Sequence, residues 1–140
     1  ASGTGFAPIK AIIEYARAKN FDPPMTFYWG GRRPSDLYML SLAEQWAAEM
    51  PHLRFIPVIS DAEPEDQWRG RTGFVHQAVM QDFPDLSGHL VYACGAPVVV
   101  RAAQKDFIDH CRLSSDSFFS DAFTTAADLA APKSEPVKTA

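Results

Sequence analysis

The chain has 140 residues, 46% of them hydrophobic and 21% charged, which suits one domain with a core of its own. A net charge of −4 gives no electrostatic footprint for nucleic acid, and no apolar run approaches the ~18 residues of a membrane span. Two cysteines, Cys94 and Cys111, are too few for a disulfide framework or a cysteine-held iron–sulfur cluster.

The expected elements alternate. Pro8 to Lys19 carries Ile9, Ile12, Ile13 and Ala16 at helical spacing, stopped by Asn20 and Pro23-Pro24. Met25 to Trp29 is a short apolar run closed by Gly30-Gly31, as in a buried parallel strand. Pro34-Ser35-Asp36 is expected to open a helix with the stripe Leu40, Ala43, Ala47 and Met50, closed by Pro51. Arg54 to Ile59 reads as a strand, and Pro57 favours an edge position because it donates nothing to a ladder. Ser60 to Gly73 is a polar loop whose acidic run, Asp61 to Asp66, reads as a solvated segment. A helix with Val75, Ala78, Val79 and Phe83 on one side follows, ended by Pro84 and Gly88. His89 to Ala93 is a buried strand, and Pro97 opens a helix to about Cys111. Ser117 to Phe123 is a last short strand. Residues 1–123 form the expected domain, and the aperiodic stretch 124–140 a disordered tail.

This order predicts an α/β fold: an open parallel sheet in three αβα layers. Such a fold should begin with a strand, yet Ala1-Ser2 runs straight into a glycine loop, so the first strand is missing or the chain is cut at it, and a fragment of a longer protein is the expectation. No signal peptide is seen, and unpaired thiols suit a reducing compartment, the cytoplasm. The four histidines are scattered and no metal-ligand spacing occurs, so no metal is expected.

Three places carry chemistry. Gly3-Thr4-Gly5 stands before an amphipathic helix. Glycines two apart allow a tight turn, and the helix N-terminus attracts an anion, which together suit a pyrophosphate. Pro8 stands where the dinucleotide fingerprint has its third glycine, so an ordinary turn before a helix is the competing reading. After the next strand comes Gly31-Arg32-Arg33, with no carboxylate before Asp36, which is read as a helix cap. These arginines can stack on adenine or pair with a 2′-phosphate, or they form a solvated turn. Cys94-Gly95-Ala96-Pro97 is the second strand-to-helix switch, where open α/β sheets place ligands. Cys94 either touches a nicotinamide ring or serves as a small buried hydrophobe.

Taken together, Gly3-Thr-Gly-Phe-Ala-Pro8, Tyr28-Trp-Gly-Gly-Arg-Arg-Pro-Ser-Asp-Leu-Tyr38, Pro57-Val-Ile-Ser-Asp61, Trp68-Arg-Gly-Arg-Thr-Gly-Phe-Val-His76, Val91-Tyr-Ala-Cys-Gly-Ala-Pro97 and Phe118-Phe-Ser-Asp-Ala-Phe123 resemble the pyridine-nucleotide domain of the ferredoxin–NADP reductase superfamily. The branch is that of bacterial oxygenase reductases and deoxysugar reductases. The resemblance implies a sheet of order 3-2-1-4-5 with the missing strand at its middle, leaving a hole between the strands at Met25 and His89. It implies hydride transfer from nicotinamide to FAD on an upstream flavin domain, then electron transfer to an acceptor such as an oxygenase or ferredoxin. In many members a 2Fe-2S module accompanies these. It assigns Gly3, Thr4, Gly5 and Pro8 to the pyrophosphate and nicotinamide cradle, and Gly31, Arg32 and Arg33 to the adenosine half. Cys94, Gly95, Ala96 and Pro97 fall beside the nicotinamide. Asp121 lies near hydride transfer, and Phe123 covers the flavin, although 17 residues follow Phe123 where the family ends. The branch mostly uses NADH and the arginine pair suits NADPH; NADH is the expectation. Without its flavin domain the chain alone is expected to be inactive. Two other readings are a non-catalytic nucleotide-binding or interaction module and a small phosphate-ester binder.

Overall fold

A computed structural model describes residues 1–122. Helix α1 (Phe6–Ala18) is followed by β1 (Met25–Gly31), α2 (Leu40–Glu49) and β2 (Leu53–Ile59). Then come a two-residue β3 (Arg71–Thr72), α3 (Val75–Asp82), β4 (Val91–Gly95), α4 (Pro97–His110) and β5 (Phe118–Ala122). Phe123 and the expected tail 124–140 lie outside the described residues.

All ladders are parallel. β1 pairs with β2 from Met25↔Leu53 to Gly31↔Ile59, and β4 with β5 from Val91↔Phe118 to Gly95↔Ala122. The side chains alternate as a strand requires. Phe27 and Trp29 enter a core with Phe6, Ile9 and Ile13 of α1 and Ala43 and Trp46 of α2. Tyr28 enters the opposite face with Val58 and Ala78 of α3. Helix α4 covers that second face over β4 and β5, with Val100, Ala103 and Phe107 packed in one cluster with Phe118 of β5. The result is three layers. Burying Phe6 and Trp29, both at 0% exposure, contributes roughly 1.5–3 kcal/mol each before packing terms.

Among the described residues the strands form two sheets, β1-β2-β3 and β4-β5. Ala1 and Ser2 lie between them. The Ala1 amino nitrogen donates to the Tyr28 carbonyl at 2.7 Å, and Gly30 N–H donates to the Ala1 carbonyl at 2.9 Å. Ser2 N–H donates to the Cys94 carbonyl at 2.9 Å. Two residues thus stitch the sheets at the carboxyl ends of the strands and set β1 beside β4, so the strands run β3-β2-β1-β4-β5 across the molecule.

Several boundaries differ from expectation for local reasons. α1 begins at Phe6, since Pro8 fits within a first turn. Pro34–Asp36 is a 3-10 turn, not the start of α2, because Leu37 at φ −85°, ψ 67° breaks the helical path. The buried stripe of α2 centres on Ala43 and Trp46 rather than Ala47. β4 starts two residues late because His89 N–H closes a turn onto the Leu86 carbonyl. Pro57 points its nitrogen away from β1, as the outward Ile59 carbonyl bonded by Gly73 N–H indicates. β3 pairs only with Val58 and Ile59, so Pro57 interrupts no bond of the β1 ladder.

Candidate functional site

Residues 3–5 form a 3-10 turn that leads into α1. Two glycines in it serve different ends. Gly3 adopts φ +52°, where a side chain is strained, and a Cβ there would meet open space. Gly5 is packed: its Cβ would lie 2.1 Å from the Cys94 carbonyl oxygen. Gly95, at φ +142°, is its counterpart, since a Cβ would fall 2.6 Å from the Ser2 oxygen. The two strand-to-helix switches therefore cross in backbone contact, which only glycine permits. Sequence reading gave both Gly5 and Gly95 to the ligand; their tight contacts are with the chain itself.

The turn is anchored from below by Trp29, whose indole N–H donates to the Gly3 carbonyl at 2.9 Å. Trp29 stacks on Phe6 with centroids 4.2 Å apart. Neither residue was singled out from sequence. The available signal was that a buried tryptophan needs an acceptor for its N–H.

Helices α1 and α4 both start at this crossing. Neither N-terminus is capped by a side chain, and neither carries an acidic residue in its first turn. Their partial positive charges are therefore free for an anion. Thr4 and Ala96 are exposed beside them, and Pro97 opens α4.

A cavity of about 150 Å³ opens next to the crossing, lined by Pro8, Ile12, Tyr92, Cys94, Phe119 and Asp121, with Ser120. It joins three residues that lie far apart in sequence. The β4–β5 register sets Cys94 opposite Asp121, and α1 brings Pro8 over them. Burial pushes the Cys94 thiol above its ordinary value, against the pull of the nearby amino group and a hydrogen bond from the Asp121 backbone. Cys94 is thus a neutral thiol and a poor nucleophile. The cavity is smaller than the ~300 Å³ at which ligand pockets begin, so its volume matches a single ring rather than a dinucleotide.

The adenosine-side residues differ among themselves. Gly31 packs on the following turn, where a Cβ would come 2.9 Å from that of Asp36. Asp36 does cap, but it closes the Pro34–Asp36 3-10 turn rather than α2: its Oδ2 accepts from the N–H groups of Arg32 and Arg33 at 2.9 and 3.2 Å. The Arg32 side chain is exposed and makes no ion pair among the described residues. Arg33 is held: its Nε and Nη2 each donate to Asp66 at 2.7 Å, and Nη1 lies 3.0 Å from Glu63. The acidic run is therefore a partner of Arg33 rather than only a solvated loop. Phe123 lies outside the described residues.

A second cavity, about 260 Å³, is lined by Arg17, Asn20, Asp22, Glu49, Met50 and His52, with Pro51. It lies at the C-terminal end of α1, the negative end of the helix dipole, beside two carboxylates. Arg17 there is already paired with Glu49 at 2.6 Å. That chemistry opposes a pyrophosphate.

A parallel αβα sheet with two uncapped helix N-termini meeting at its carboxyl edge is the arrangement of the dinucleotide-binding family of αβα domains. The chain belongs to that family: residues 1–105 match the oxidoreductase NAD-binding domain, within the ferredoxin–NADP reductase superfamily. It is 45% identical over 123 residues to the CDP-6-deoxy-L-threo-D-glycero-4-hexulose-3-dehydrase reductase of Yersinia pseudotuberculosis, covering 88% of this chain and 36% of that protein. It is 35% identical over 127 residues to reductase component 2 of the terephthalate 1,2-dioxygenase of a Comamonas species, covering 89% and 37%. The solved structure of the Amycolatopsis cytochrome P450 reductase GcoB superposes with a TM-score of 0.78 at 35% identity, covering 90% of this chain and 37% of that one. The chain thus spans little more than a third of these relatives. No helix among the described residues is long and apolar enough to cross a membrane.

Proposed function

We propose that this chain is the nucleotide half of a flavin-dependent electron-transfer reductase, binding NADH and presenting its nicotinamide to a flavin held by another domain. The observation that carries this is the meeting of Pro8, Cys94 and Asp121 in one cavity, beside the two uncapped helix N-termini at the Gly5–Gly95 crossing. The open space at Gly3 and the lack of first-turn acids fit a pyrophosphate. The nicotinamide supplies a hydride, and the flavin accepts it.

In this reading each residue binds or orients. Gly3, Thr4, Gly5 and the α1 amides cradle the pyrophosphate, with Ala96 and the α4 N-terminus on its other side. Pro8, Cys94, Gly95 and Pro97 wall the nicotinamide ring, and the neutral Cys94 thiol packs on it without attacking it. Asp121 orients the carboxamide edge, and Phe123 covers the flavin. Gly31 and Arg32 meet the adenosine. NADH is preferred over NADPH because Arg33 is already paired. Electrons then pass to an oxygenase or ferredoxin-type acceptor, directly or through a 2Fe-2S module. The relatives' names support this, since they are reductase components. The chain alone carries out no turnover. Two buried free thiols support a reducing, cytoplasmic setting.

The test is anaerobic stopped-flow reduction of the flavin in the protein that carries this chain. NADH should bleach the flavin, and Cys94→Ala should slow bleaching about 10- to 100-fold with little change in nucleotide affinity. A protein with no flavin, or a Cys94→Ala variant that reduces it at the wild-type rate, would contradict the reading.

A further inference from the structure

The acidic segment after β2 has a specific geometry. Its turn, Pro64–Asp66, follows Glu63 and is closed by the Asp66 carboxylate, which accepts from Glu63 N–H at 2.9 Å. The segment is tied to the end of β1 by two backbone bonds, Ser60 N–H to the Gly31 carbonyl and Asp61 N–H to the Arg32 carbonyl, both at 2.9 Å. Further along, Trp68 donates its indole N–H to the Arg71 carbonyl, and Arg71 pairs with Asp82 on α3. The segment is thus anchored at both ends and set against Arg33.

Arg33 stands just past β1, where this class of fold reads the 2′ position of the adenosine ribose. An arginine there welcomes a 2′-phosphate only if its donor fork is open. Here the fork is filled by Asp66, bidentate at 2.7 Å on each arm, and the third nitrogen faces Glu63. Around Arg33 gather the carboxylates of Asp66, Glu63 and Glu65, with Asp36 on the backbone N–H groups of Arg32 and Arg33 and Asp61 tied to the Arg32 carbonyl. Crowding shows within the turn: the Glu63 carboxyl is pushed up by a hydrogen bond with Glu65. A 2′-phosphate entering here must both displace Asp66 and face a surplus of negative charge.

We propose that the Glu63–Asp66 turn is the nucleotide-specificity element: by clamping Arg33 it admits adenosine with a free 2′-hydroxyl and turns away adenosine 2′-phosphate. The clamp rests on the nucleotide-binding role given above and names the determinant of its choice. It also resolves the arginine pair, of which Arg32 alone faces the ligand.

Calorimetric titration of the carrying protein with NADH, NADPH, 5′-AMP and 2′,5′-ADP tests it. Wild type should prefer NADH and 5′-AMP. The double variant Glu63→Gln, Asp66→Asn should move the NADPH-to-NADH affinity ratio at least about tenfold toward NADPH, with 2′,5′-ADP following. Adding Arg33→Gln should cancel that gain. Should the double variant lose its circular dichroism signature, Glu63→Gln alone keeps the Asp66 cap and should still move the ratio about threefold. A wild type that prefers NADPH, or variants that leave the ratio within about twofold, would overturn the clamp while leaving nucleotide binding intact. A wild type that binds none of the four would overturn the binding reading itself, and the clamp with it.

Discussion

Glycines of one short motif do unlike work in this protein, and substitution separates them. Gly5→Ala drives a Cβ into the Cys94 carbonyl at 2.1 Å, a backbone atom that cannot swing aside. It should cost about 3 kcal/mol or more in denaturant unfolding, at the top of the overpacking range. Gly3→Ala meets open space and only the left-handed strain at φ +52°, about 1 kcal/mol. Its larger effect should be on nucleotide affinity. Trp29→Phe keeps a ring against Phe6 but strands the Gly3 carbonyl, which should cost about 1–2 kcal/mol and loosen the turn. The sequence motif marked Gly3, Gly5 and Gly95 as special but could not divide contact with ligand from contact with chain. Arg33 shows the same limit. Its residue type suggested a phosphate partner, and the carboxylates that claim it are Glu63 and Asp66, 30 and 33 positions away.

At the scale of elements, every long helix and strand could be read from periodicity, whereas β3 could not. Two residues carry no alternation, and Arg71–Thr72 is held by long-range bonds instead. Arg71 and Tyr28 converge on Asp82, with Tyr28 Oη donating to the carboxylate at 2.6 Å, so that β1, β3 and α3 share one ionic clip. Hydrogen bonds from Arg71 first, then Tyr28, hold the Asp82 carboxyl below its ordinary 3.8. A depressed carboxylate stabilises the fold fully above its unfolded value and ceases to as pH falls through its folded one. Unfolding midpoints of wild type should therefore drop below pH 4 more steeply than those of Asp82→Asn, which should start lower and stay flatter. The slot between β1 and β4 was the other element-scale expectation from sequence, and the backbone shows its shape. The Ala1 and Ser2 bonds set the even-numbered groups of β1 and β4 toward it. Thr26, Tyr28, Tyr92 and Cys94 N–H thus face a gap that an added strand ahead of Ala1 would pair. Extending the chain there with a β-forming segment should slow hydrogen exchange at these four amides and raise the melting temperature. Unchanged exchange would mean that the gap is closed some other way.

For the whole molecule, the three layers aim both uncapped helix N-termini at one edge of the sheet and leave the C-terminal end of α1, near Asp22 and Glu49, at the other. The chain belongs to the oxidoreductase NAD-binding domain family and spans little more than a third of the relatives described above. The proposed dinucleotide site lies across the carboxyl ends of β1 and β4. Amide chemical-shift mapping of the isotope-labelled protein during titration with NADH tests it. Saturable shifts are expected to concentrate at Gly3, Thr4, Gly5, Arg32, Gly95, Ala96 and Asp121. Shifts centred instead on Arg17, Asp22 and His52, or none at saturating nucleotide, would contradict it.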